Sequence, residues 1–421
     1  MEVKPSLKQT EIGVLPEEWK IKSFGELFAF KNGVNADKSA YGKGIRFINV
    51  LEPISYSHLY GPEIPGRVTL IESVAASYFV RRGDVLFNRT SETDSELGLA
   101  ACYLGTEQVV FGGFVIRGRP IDKTFEPLYS GYALRAPIIR SQIISMGQGA
   151  IRANIGQQNL SFVIAPVPPK SEQHAIAEAL SDVDALLGGL DRLIAKKRDI
   201  KQAAMQQLLT GQTRLPGFHG KWTSLNMADD SSLKARIGWQ GLTTAEYLKT
   251  GDFFLVTGTD FSEGRIAWSN CCYVAADRYT QDINIQLRLK DILLTKDGTI
   301  GKVAFVDDLP KPATLNSGVF VIRPKNGAYD PLFFYYVLTS RIFNEFLTKL
   351  QAGSTISHLY QKDFVSFSFL APPTVSEQTA IAEVLSDMDT GLTALEQRRD
   401  KTHDLKQAML QELLTGRTRL M

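Results

Sequence analysis

The sequence lacks any apolar run long enough to cross a membrane, and it contains little cysteine. Its longest apolar stretches, such as Phe253–Val256 and Leu332–Leu338, fall far short of the roughly 18 residues that a membrane span requires. No basic head followed by an apolar segment opens the chain, so no signal peptide is expected. The three cysteines, at positions 102, 271 and 272, are odd in number and lack metal-ligand spacing, which argues against a disulfide framework and a metal site. Together these absences predict a cytoplasmic protein.

Motifs of catalysis and nucleotide binding are also missing. Residues 298–302 resemble a phosphate-binding loop, but the spacing is wrong and no hydroxyl residue follows the lysine. No dinucleotide or S-adenosylmethionine glycine fingerprint follows a strand, and no Asn-Pro-Pro-aromatic motif of adenine methyltransferases occurs. Asp291 and Lys296 could belong to a nuclease site, but the first half of the chain has Arg89 and Thr90 in the equivalent loop, and a strand-end aspartate more often forms a turn. The sequence therefore predicts a protein without an active site.

The strongest positive signal is an internal repeat with a shift of 205 residues. Residues 171–184 reappear almost unchanged as residues 376–389, and residues 201–215 reappear as residues 406–420, with no gap. The chain thus alternates variable and near-constant segments, and two halves built to one plan suggest approximate two-fold symmetry. Fainter similarity links the variable segments at three places: Asp84–Phe87 with Asp291–Leu294, Phe114–Arg117 with Phe320–Arg323, and Trp19 with Trp222.

The near-constant segments have the apolar spacing of long coiled-coil helices, with steps of four and three residues. Ser171 and Ser376 are expected to be N-caps, and Gly211 and Gly416 are expected to end the helices. We predict that the two helices form an antiparallel pair; the alternative is that they are ordinary core helices of two globular domains. The seam positions are Ile176, Leu180, Val183, Leu187, Leu190 and Ile194 in the first helix and Ile381, Leu385, Met388, Leu392 and Leu395 in the second, and the seam is expected to resume at Ile200, Ala204 and Leu208 and at Leu405, Met409 and Leu413.

The variable segments mix strand and helix signals. Residues 44–50, 84–87, 251–257 and 291–294 read as strands, whereas the acid–proline pairs at residues 126 and 330 open helices. The predicted fold class is therefore α+β, with two similar mixed α/β domains separated by a long antiparallel two-helix coiled coil. The predicted boundaries are residues 1–170 and 213–375 for the domains, and residues 171–212 and 376–421 for the spacer helices.

Charge gives only weak support for nucleic-acid binding. Residues 1–170 carry 19 lysines and arginines against 16 aspartates and glutamates, and residues 216–375 carry 16 against 15. This bias is well below that of a free-standing DNA-binding domain. It would suit a subunit that shares phosphate contacts with basic partners.

The repeat and its signatures resemble the specificity subunit of type I restriction–modification enzymes along essentially the whole chain. The most specific parts are residues 168–177 and 372–382 (Pro-Pro followed by Ser-Glu-Gln-x-Ala-Ile-Ala) and residues 208–215 and 413–420 (Leu-Leu-Thr-Gly-x-Thr-Arg-Leu). A weaker signature is a Gly-Asp-x-Leu run with a later Gly-x-x-Gly-Lys-Val. The first half departs from it, because its loop over residues 88–98 is longer and lacks the first glycine.

The resemblance implies a non-catalytic subunit in which each variable domain reads half of a split target in double-stranded DNA and the helices set the gap. It also implies two methyltransferase subunits that carry S-adenosylmethionine, and restriction–translocase subunits that use ATP; the chain itself needs no cofactor or metal. The rival function is a coiled-coil interaction adaptor with two ligand-binding domains and no DNA reading. Polar residues in loops flanking strands are the candidates for DNA contact: Lys43, Arg46, Asn88, Arg89, Arg152, Asn154, Lys296, Lys302, His358 and Tyr360.

Overall fold

The computed structural model describes residues 6–149, 153–237, 241–351 and 358–420 of the 421-residue chain, which divides into two compact units. Unit 1 comprises Met1–Asp191 and Gln397–Met421, and unit 2 comprises Arg192–Glu396. Each unit therefore contains one mixed domain together with part of each of two 39-residue helices, α7 (Lys170–Leu208) and α13 (Val375–Leu413).

Short strands and helices make up the mixed domain of unit 1. The strands are β1 Leu7–Thr10, β2 Gly13–Pro16, β3 Lys20–Ser23, β4 Phe28–Asn32, β5 Tyr41–Ile48, β6 His58–Leu59, β7 Arg67–Val68, β8 Val85–Asn88, β9 Thr90–Ser91, β10 Ala100–Tyr103, β11 Val109–Phe111, β12 Val115–Pro120, β13 Ala153–Asn154 and β14 Ile164–Val167. The helices are α1 Phe24–Leu27, α2 Leu51–Ser55, α3 Glu72–Tyr78, α4 Pro127–Ala133, α5 Pro137–Ser145 and α6 Gln157–Phe162.

The mixed domain of unit 2 has a similar series of elements. Its strands are β15 Thr223–Asn226, β16 Ser231–Ala235, β17 Phe253–Val256, β18 Phe261–Ser262, β19 Arg265–Ile266, β20 Cys272–Val274, β21 Ile292–Thr295, β22 Val303–Phe305, β23 Ala313–Leu315, β24 Val319–Pro324 and β25 Ser368–Ala371. Its helices are α8 Met227–Asp230, α9 Ala276–Thr280, α10 Pro331–Thr339, α11 Arg341–Gln351 and α12 Gln361–Phe364.

The sheets of the two domains follow one plan. In unit 1 the strand order is β4-β12-β8-β10-β6, and in unit 2 it is β16-β24-β21-β22. A three-stranded sheet accompanies each, β11-β5-β7 in unit 1 and β20-β17-β23 in unit 2. The acid–proline pairs open helices as predicted, with Glu126 and Asp330 at the N-caps of α4 and α10. Together with the long helices, these sheets confirm the predicted α+β class and the internal repeat.

The strand register corrects one match made from the sequence. Val85 pairs with Gly118 in unit 1, and the equivalent Ile292 pairs with Ile322 in unit 2. Arg119 therefore corresponds to Arg323, and matching Phe114–Arg117 to Phe320–Arg323 was wrong by two residues. The shift was hard to see in the sequence because β12 has arginine at two alternate positions and residues of one strand face repeat every second position.

Aromatic side chains fill the core of each unit. Trp19, Phe24 and Phe87 are fully buried in unit 1, as are Phe333 and Phe334 in unit 2. Apolar residues from both long helices join each of these cores. Burial of this apolar surface is the main force that holds each domain to its helix pair.

Within each unit the two long helical segments run antiparallel. In unit 1 the carboxylate of Glu172 binds Arg419, which follows the end of α13, and 12 residues further along α7 Asp184 binds Lys406 within α13 (2.6 Å). A rising residue number in one helix thus meets a falling number in the other. The same order holds in unit 2, where the pairs are Lys201 with Asp389 and Arg214 with Glu377.

Both long helices begin one residue before the serines predicted as N-caps. Ser171 and Ser376 therefore lie in the first turn. In unit 2 the hydroxyl of Thr374 instead accepts the backbone N–H of Glu377 at 3.3 Å. The prediction of Ser171 and Ser376 as caps was wrong by two residues, because the residue before each helix is Pro169 or Thr374; a shift of this size is within the usual uncertainty of helix ends.

The predicted helix stops are confirmed, because Gly211 and Gly416 have φ values of 72° and 69°, which only glycine adopts without strain. The seam does not resume as expected at Ile200 and Leu405, which are 43% and 55% exposed. The predicted seam residues are otherwise shielded: Ile176, Leu180, Leu190, Ile194, Ile381, Leu385 and Leu392 are buried, and Val183, Leu187, Met388 and Leu395 are half-buried.

Candidate nucleic-acid interface

Each domain is attached to its helix pair through residues that the two repeats share. In unit 1, Trp19 donates its indole N–H to Glu172 (2.8 Å), and Arg419 donates two further hydrogen bonds to that carboxylate, one of them of 2.9 Å. In unit 2, Arg214 binds the equivalent Glu377 with both nitrogens of its fork. These repeated residues therefore have a structural role, since a buried carboxylate needs such a partner.

A tyrosine in each domain reaches the helix pair in the same way. Tyr132 donates to Asp184 at 2.7 Å, and Tyr336 donates to Asp389 at 2.8 Å. Burial raises the pKa of both tyrosine hydroxyls, and the hydrogen bond to a carboxylate raises it further. Both hydroxyls therefore stay protonated and act as donors.

The aspartate at the start of the central strand forms a turn in both domains and holds an arginine. Asp84 accepts the N–H of Arg81 (2.8 Å) and binds Arg119. Asp291 accepts from the N–H of Arg288 (2.8 Å) in the same way and binds Arg323. The interpretation of Asp291 as a turn-former is thus correct, whereas its arginine partner could not be predicted from the local sequence.

The opposite end of the central strand carries most of the candidate residues of unit 2. The side chain of His358 is paired with Asp297, and its ring lies 4.6 Å from the exposed ring of Tyr360. The ammonium of Lys296 lies 5.3 Å from the ring of Phe320. The backbone N–H of Leu359, the residue between His358 and Tyr360, donates to the carbonyl of Lys296 (2.8 Å) and so holds the two segments side by side. The fold thus brings Lys296, His358 and Tyr360 together. The exposed Lys302 directly precedes β22, and its backbone N–H donates to the hydroxyl of Thr295.

Unit 1 builds an equivalent cluster from different residues. Thr90 donates its hydroxyl to the side-chain oxygen of Asn154 (2.7 Å), where unit 2 has the pair of Asp297 and His358. The N–H of Ile155 donates to the carbonyl of Arg89 (3.0 Å), the counterpart of the bond between Leu359 and Lys296. We call these two groups the strand-end clusters: residues 89, 90 and 154 in unit 1, and residues 296, 297, 358 and 360 in unit 2.

The other candidates of the first domain lie elsewhere or have different surroundings. Asn88 has no exposed surface and donates to the carbonyl of Glu96 (3.1 Å), so it supports the following loop. Lys43 and Arg46 lie on β5, in the three-stranded sheet; Lys43 is exposed, whereas Arg46 is bound to Glu107 (2.6 Å). Arg152 lies outside the described residues.

The described part of the chain offers neither a metal-binding cluster nor a membrane-spanning helix. Among residues 6–149, 153–237, 241–351 and 358–420, no group of three or more histidine, cysteine, aspartate or glutamate side chains is arranged to hold a metal ion. No helix in that part of the chain combines the length and apolar character that a membrane crossing requires.

Known proteins resemble this chain over nearly its full length. A specificity subunit of a type I restriction enzyme from Methanocaldococcus jannaschii, MjaX, is 25% identical over 431 residues, which cover 99% of this chain and 97% of that protein. The crystal structure of the S subunit of a type I restriction–modification system from M. genitalium superposes with a TM-score of 0.59 at 17% identity, covering 98% and 99% of the two chains. A chain from a structure that describes complex assembly and conformational transition of the type I restriction–modification system superposes with a TM-score of 0.57 at 17% identity. The match covers 96% of this chain and 99% of that chain.

Residues 16–196 and 246–402 each match the family model described as the type I restriction modification DNA specificity domain. These matches span most of the chain and both mixed domains. Proteins of this kind are non-catalytic subunits, so the prediction of a specificity subunit without its own active site is confirmed and the adaptor alternative is not favoured. The chain belongs to the type I restriction–modification DNA specificity family.

Proposed function

We propose that the two strand-end clusters read the two halves of a bipartite target in double-stranded DNA, one half for each domain. Residues 1–170 and 213–375 would be the reading modules, and residues 171–212 and 376–421 the helical spacers. The observation that carries this proposal is the correspondence of the clusters: the same backbone hydrogen bonds present Thr90 and Asn154 in one domain and Asp297 and His358 in the other. Two domains that recognise different DNA sequences need the same backbone support but different polar side chains at the positions that contact the bases.

The proposed contacts divide into base readers and phosphate binders. Arginine reads guanine with two hydrogen bonds, and asparagine pairs with adenine, so we assign base contacts to Arg89 and Asn154. His358 and Tyr360 are the corresponding readers of unit 2. Four lysines and arginines would bind the sequence-independent phosphates: Lys43, Arg152, Lys296 and Lys302; Arg46 would join them only by leaving Glu107.

An exchange of domains tests modular reading. Residues 1–170 would be replaced by those of another specificity subunit, and adenine methylation would be mapped in cells that contain the methyltransferase subunits. We expect one half of the methylated motif to change and the other to stay. The reciprocal exchange of residues 213–375 is the matched control and should change the opposite half. A change in both halves, or in neither, would contradict the proposal.

Single substitutions separate the two kinds of contact. Asn154→Ala and His358→Ala should each cost about 1–3 kcal/mol of binding and relax one position in opposite halves of the target. Lys302→Ala should weaken binding to all DNA sequences alike. It should also lower the number of counter-ions released on binding, as read from the salt dependence of the affinity, by about one. Competition binding with single-base variants of the target, at two salt concentrations, measures both effects.

We further propose that two methyltransferase subunits, which bind S-adenosylmethionine, assemble with this chain in the cytoplasm, and that ATP-dependent restriction subunits join them. A pair of exposed apolar side chains supports a protein partner on α7: Leu193 and Ile200 lie seven residues apart on one face of the helix, within unit 2, and are 39% and 43% exposed. Apolar surface repeated on one helix face is typical of a docking site.

Co-purification tests this assembly. Leu193→Lys combined with Ile200→Lys should reduce the amount of methyltransferase subunit that elutes with the chain. Ile283→Lys, at a 65% exposed position of the unit 2 domain, is the matched control and should have no effect. Without partners, the chain should transfer no methyl group from labelled S-adenosylmethionine to mixed-sequence DNA; robust transfer would refute the proposal.

A further inference from the structure

An exposed phenylalanine lies next to the strand-end cluster of unit 1. Phe114 is 56% exposed and sits in the tight turn between β11 and β12, which is closed by a bond from the N–H of Val115 to the carbonyl of Gly112 (2.9 Å). The carbonyl of Phe114 accepts the N–H of Arg89 at 2.9 Å. The guanidinium of Arg89 in turn donates to the carbonyl of Gly113 (3.3 Å). The phenyl ring and the arginine are thus presented by one small piece of backbone.

This turn is held in place by close backbone packing. A side chain at Gly112 would collide with the ring of Phe47, and one at Gly113 would collide with the side chain of Asn35. The N–H of Val34 donates to the carbonyl of Phe111 (2.9 Å), which fixes the other flank of the turn. Phe114 is therefore exposed on a firmly positioned support, as a residue that recognises shape must be.

The side chains around the turn are those that read bases in the major groove. Asn32 pairs with Ile116 at the start of β12, Asn35 lies against Gly113, and both asparagines are exposed. Together with Arg89 and Asn154 they offer amides and a guanidinium, the usual partners of adenine and guanine. An isolated exposed phenylalanine would need no explanation, but one within this polar group does.

We propose that Phe114 contacts the 5-methyl group of a thymine in the half-target read by unit 1. The methyl group of thymine is the apolar feature that base pairs present in the major groove, and an aromatic ring is a suitable partner for it. Unit 2 has Gly318 at the equivalent position, where its carbonyl accepts the N–H of Lys296 (2.9 Å), so no ring occupies this place there. The inference rests on the proposed DNA-reading role of the strand-end clusters, and it is restricted to one half of the target.

Removal of single methyl groups tests the contact. Each thymine of the mapped target would be replaced in turn by deoxyuridine, and affinity would be measured by competition with the complex of this chain and its methyltransferase subunits. We expect one position, in the half assigned to unit 1 by domain exchange, to bind about threefold to tenfold more weakly without its methyl group. In Phe114→Ala this sensitivity should disappear, and in Phe114→Leu it should be partly retained.

Phe162→Ala is the matched control, because Phe162 is also a phenylalanine of unit 1 and is 62% exposed. It should keep the sensitivity of the unchanged protein. The inference is overturned if no thymine in that half responds, if the response survives in Phe114→Ala, or if Phe114→Ala weakens every sequence equally. Domain exchange that still changes one half of the target would, in each of these cases, leave the proposed function standing.

Discussion

The two units attach their domains to the long helices through the same kind of salt bridge, but the side chains around that salt bridge differ. In both units a buried glutamate forms a salt bridge with an arginine: Glu172 with Arg419 in unit 1, and Glu377 with Arg214 in unit 2. The indole of Trp19 adds a third donor in unit 1, whereas the indole nitrogen of Trp222 has no partner within the described residues of unit 2. The repeat has thus kept the charged pair and let its surroundings change.

A second difference shows how such changes are coupled. The backbone bond from Cys102 to Ser57 corresponds to the bond from Phe305 to Gly264, so His58 and Arg265 occupy equivalent places. Gly131 leaves room for His58, since a side chain there would collide with the imidazole. In unit 2 the guanidinium of Arg265 lies over the ring of Tyr335, 5.4 Å from its centre. Both members of this contacting pair therefore differ between the units, glycine with histidine in unit 1 and tyrosine with arginine in unit 2.

Removal of the arginines should give the largest effect and should reveal the asymmetry. Arg214→Ala leaves the fully buried Glu377 without its cation and should destabilise unit 2 by about 3–5 kcal/mol. Arg419→Ala should destabilise unit 1 by less, because Trp19 still donates to Glu172. Denaturant unfolding followed by hydrogen exchange in each unit measures both values; equal losses would show that the indole contributes nothing.

Removal of the tyrosine hydroxyls should give smaller and nearly equal effects. Tyr132→Phe and Tyr336→Phe each delete one hydrogen bond to a carboxylate, of 2.7 Å and 2.8 Å. We expect a loss of about 1.5–3 kcal/mol in the unit concerned. The same exchange measurement provides the comparison, and the methylated DNA motif should stay unchanged. A clear inequality would mean that the two attachments are less alike than their geometry indicates.

The smallest effect should be a dependence on pH that arises from His58 in unit 1. Burial lowers the pKa of His58 from its ordinary value of 6.5, although the bond to the carbonyl of Leu128 raises it in part. Protonation then favours the unfolded chain, so the stability of this site is fully present above the unfolded pKa and is lost as the pH falls below it. His58→Gln should flatten this dependence. The equivalent place in unit 2 holds Arg265 instead of a histidine. Thermal unfolding of the unchanged protein and of His58→Gln between pH 7.5 and 5.5 is the measurement.

The long helices could be predicted from the sequence because their pattern is local and occurs twice. Steps of three and four residues set the helix face, and the glycines at 211 and 416 mark its ends. The exposure of Ile200 and Leu405 could not be predicted, because they continue the apolar spacing while their place on the surface depends on which elements pack nearby. A heptad pattern gives the face of a helix but not the length over which it is covered.

The candidate sites could be predicted only in outline. The loops that flank the strands do bring His358 and Tyr360 beside Lys296, and their contact with DNA stays a prediction. Asn88 could not be distinguished from them, because the last residue of a strand points inward or outward according to the pleat. The exposure of Phe114 could not be predicted for the same reason, because the sequence comparison matched it to Phe320, a strand residue of the other repeat. These choices depend on register, which is set by pairing across the sheet.

The composition of the two units also determines the order in which they can be completed on the ribosome. Unit 2 is one continuous stretch, Arg192–Glu396, and all of its contacts are available once that stretch has emerged. Unit 1 needs Gln397–Met421, and its bond between Glu172 and Arg419 joins residues 247 positions apart. The domain that is synthesised first is therefore the last to be completed, and until residues 397–421 have emerged its apolar edge needs protection from aggregation.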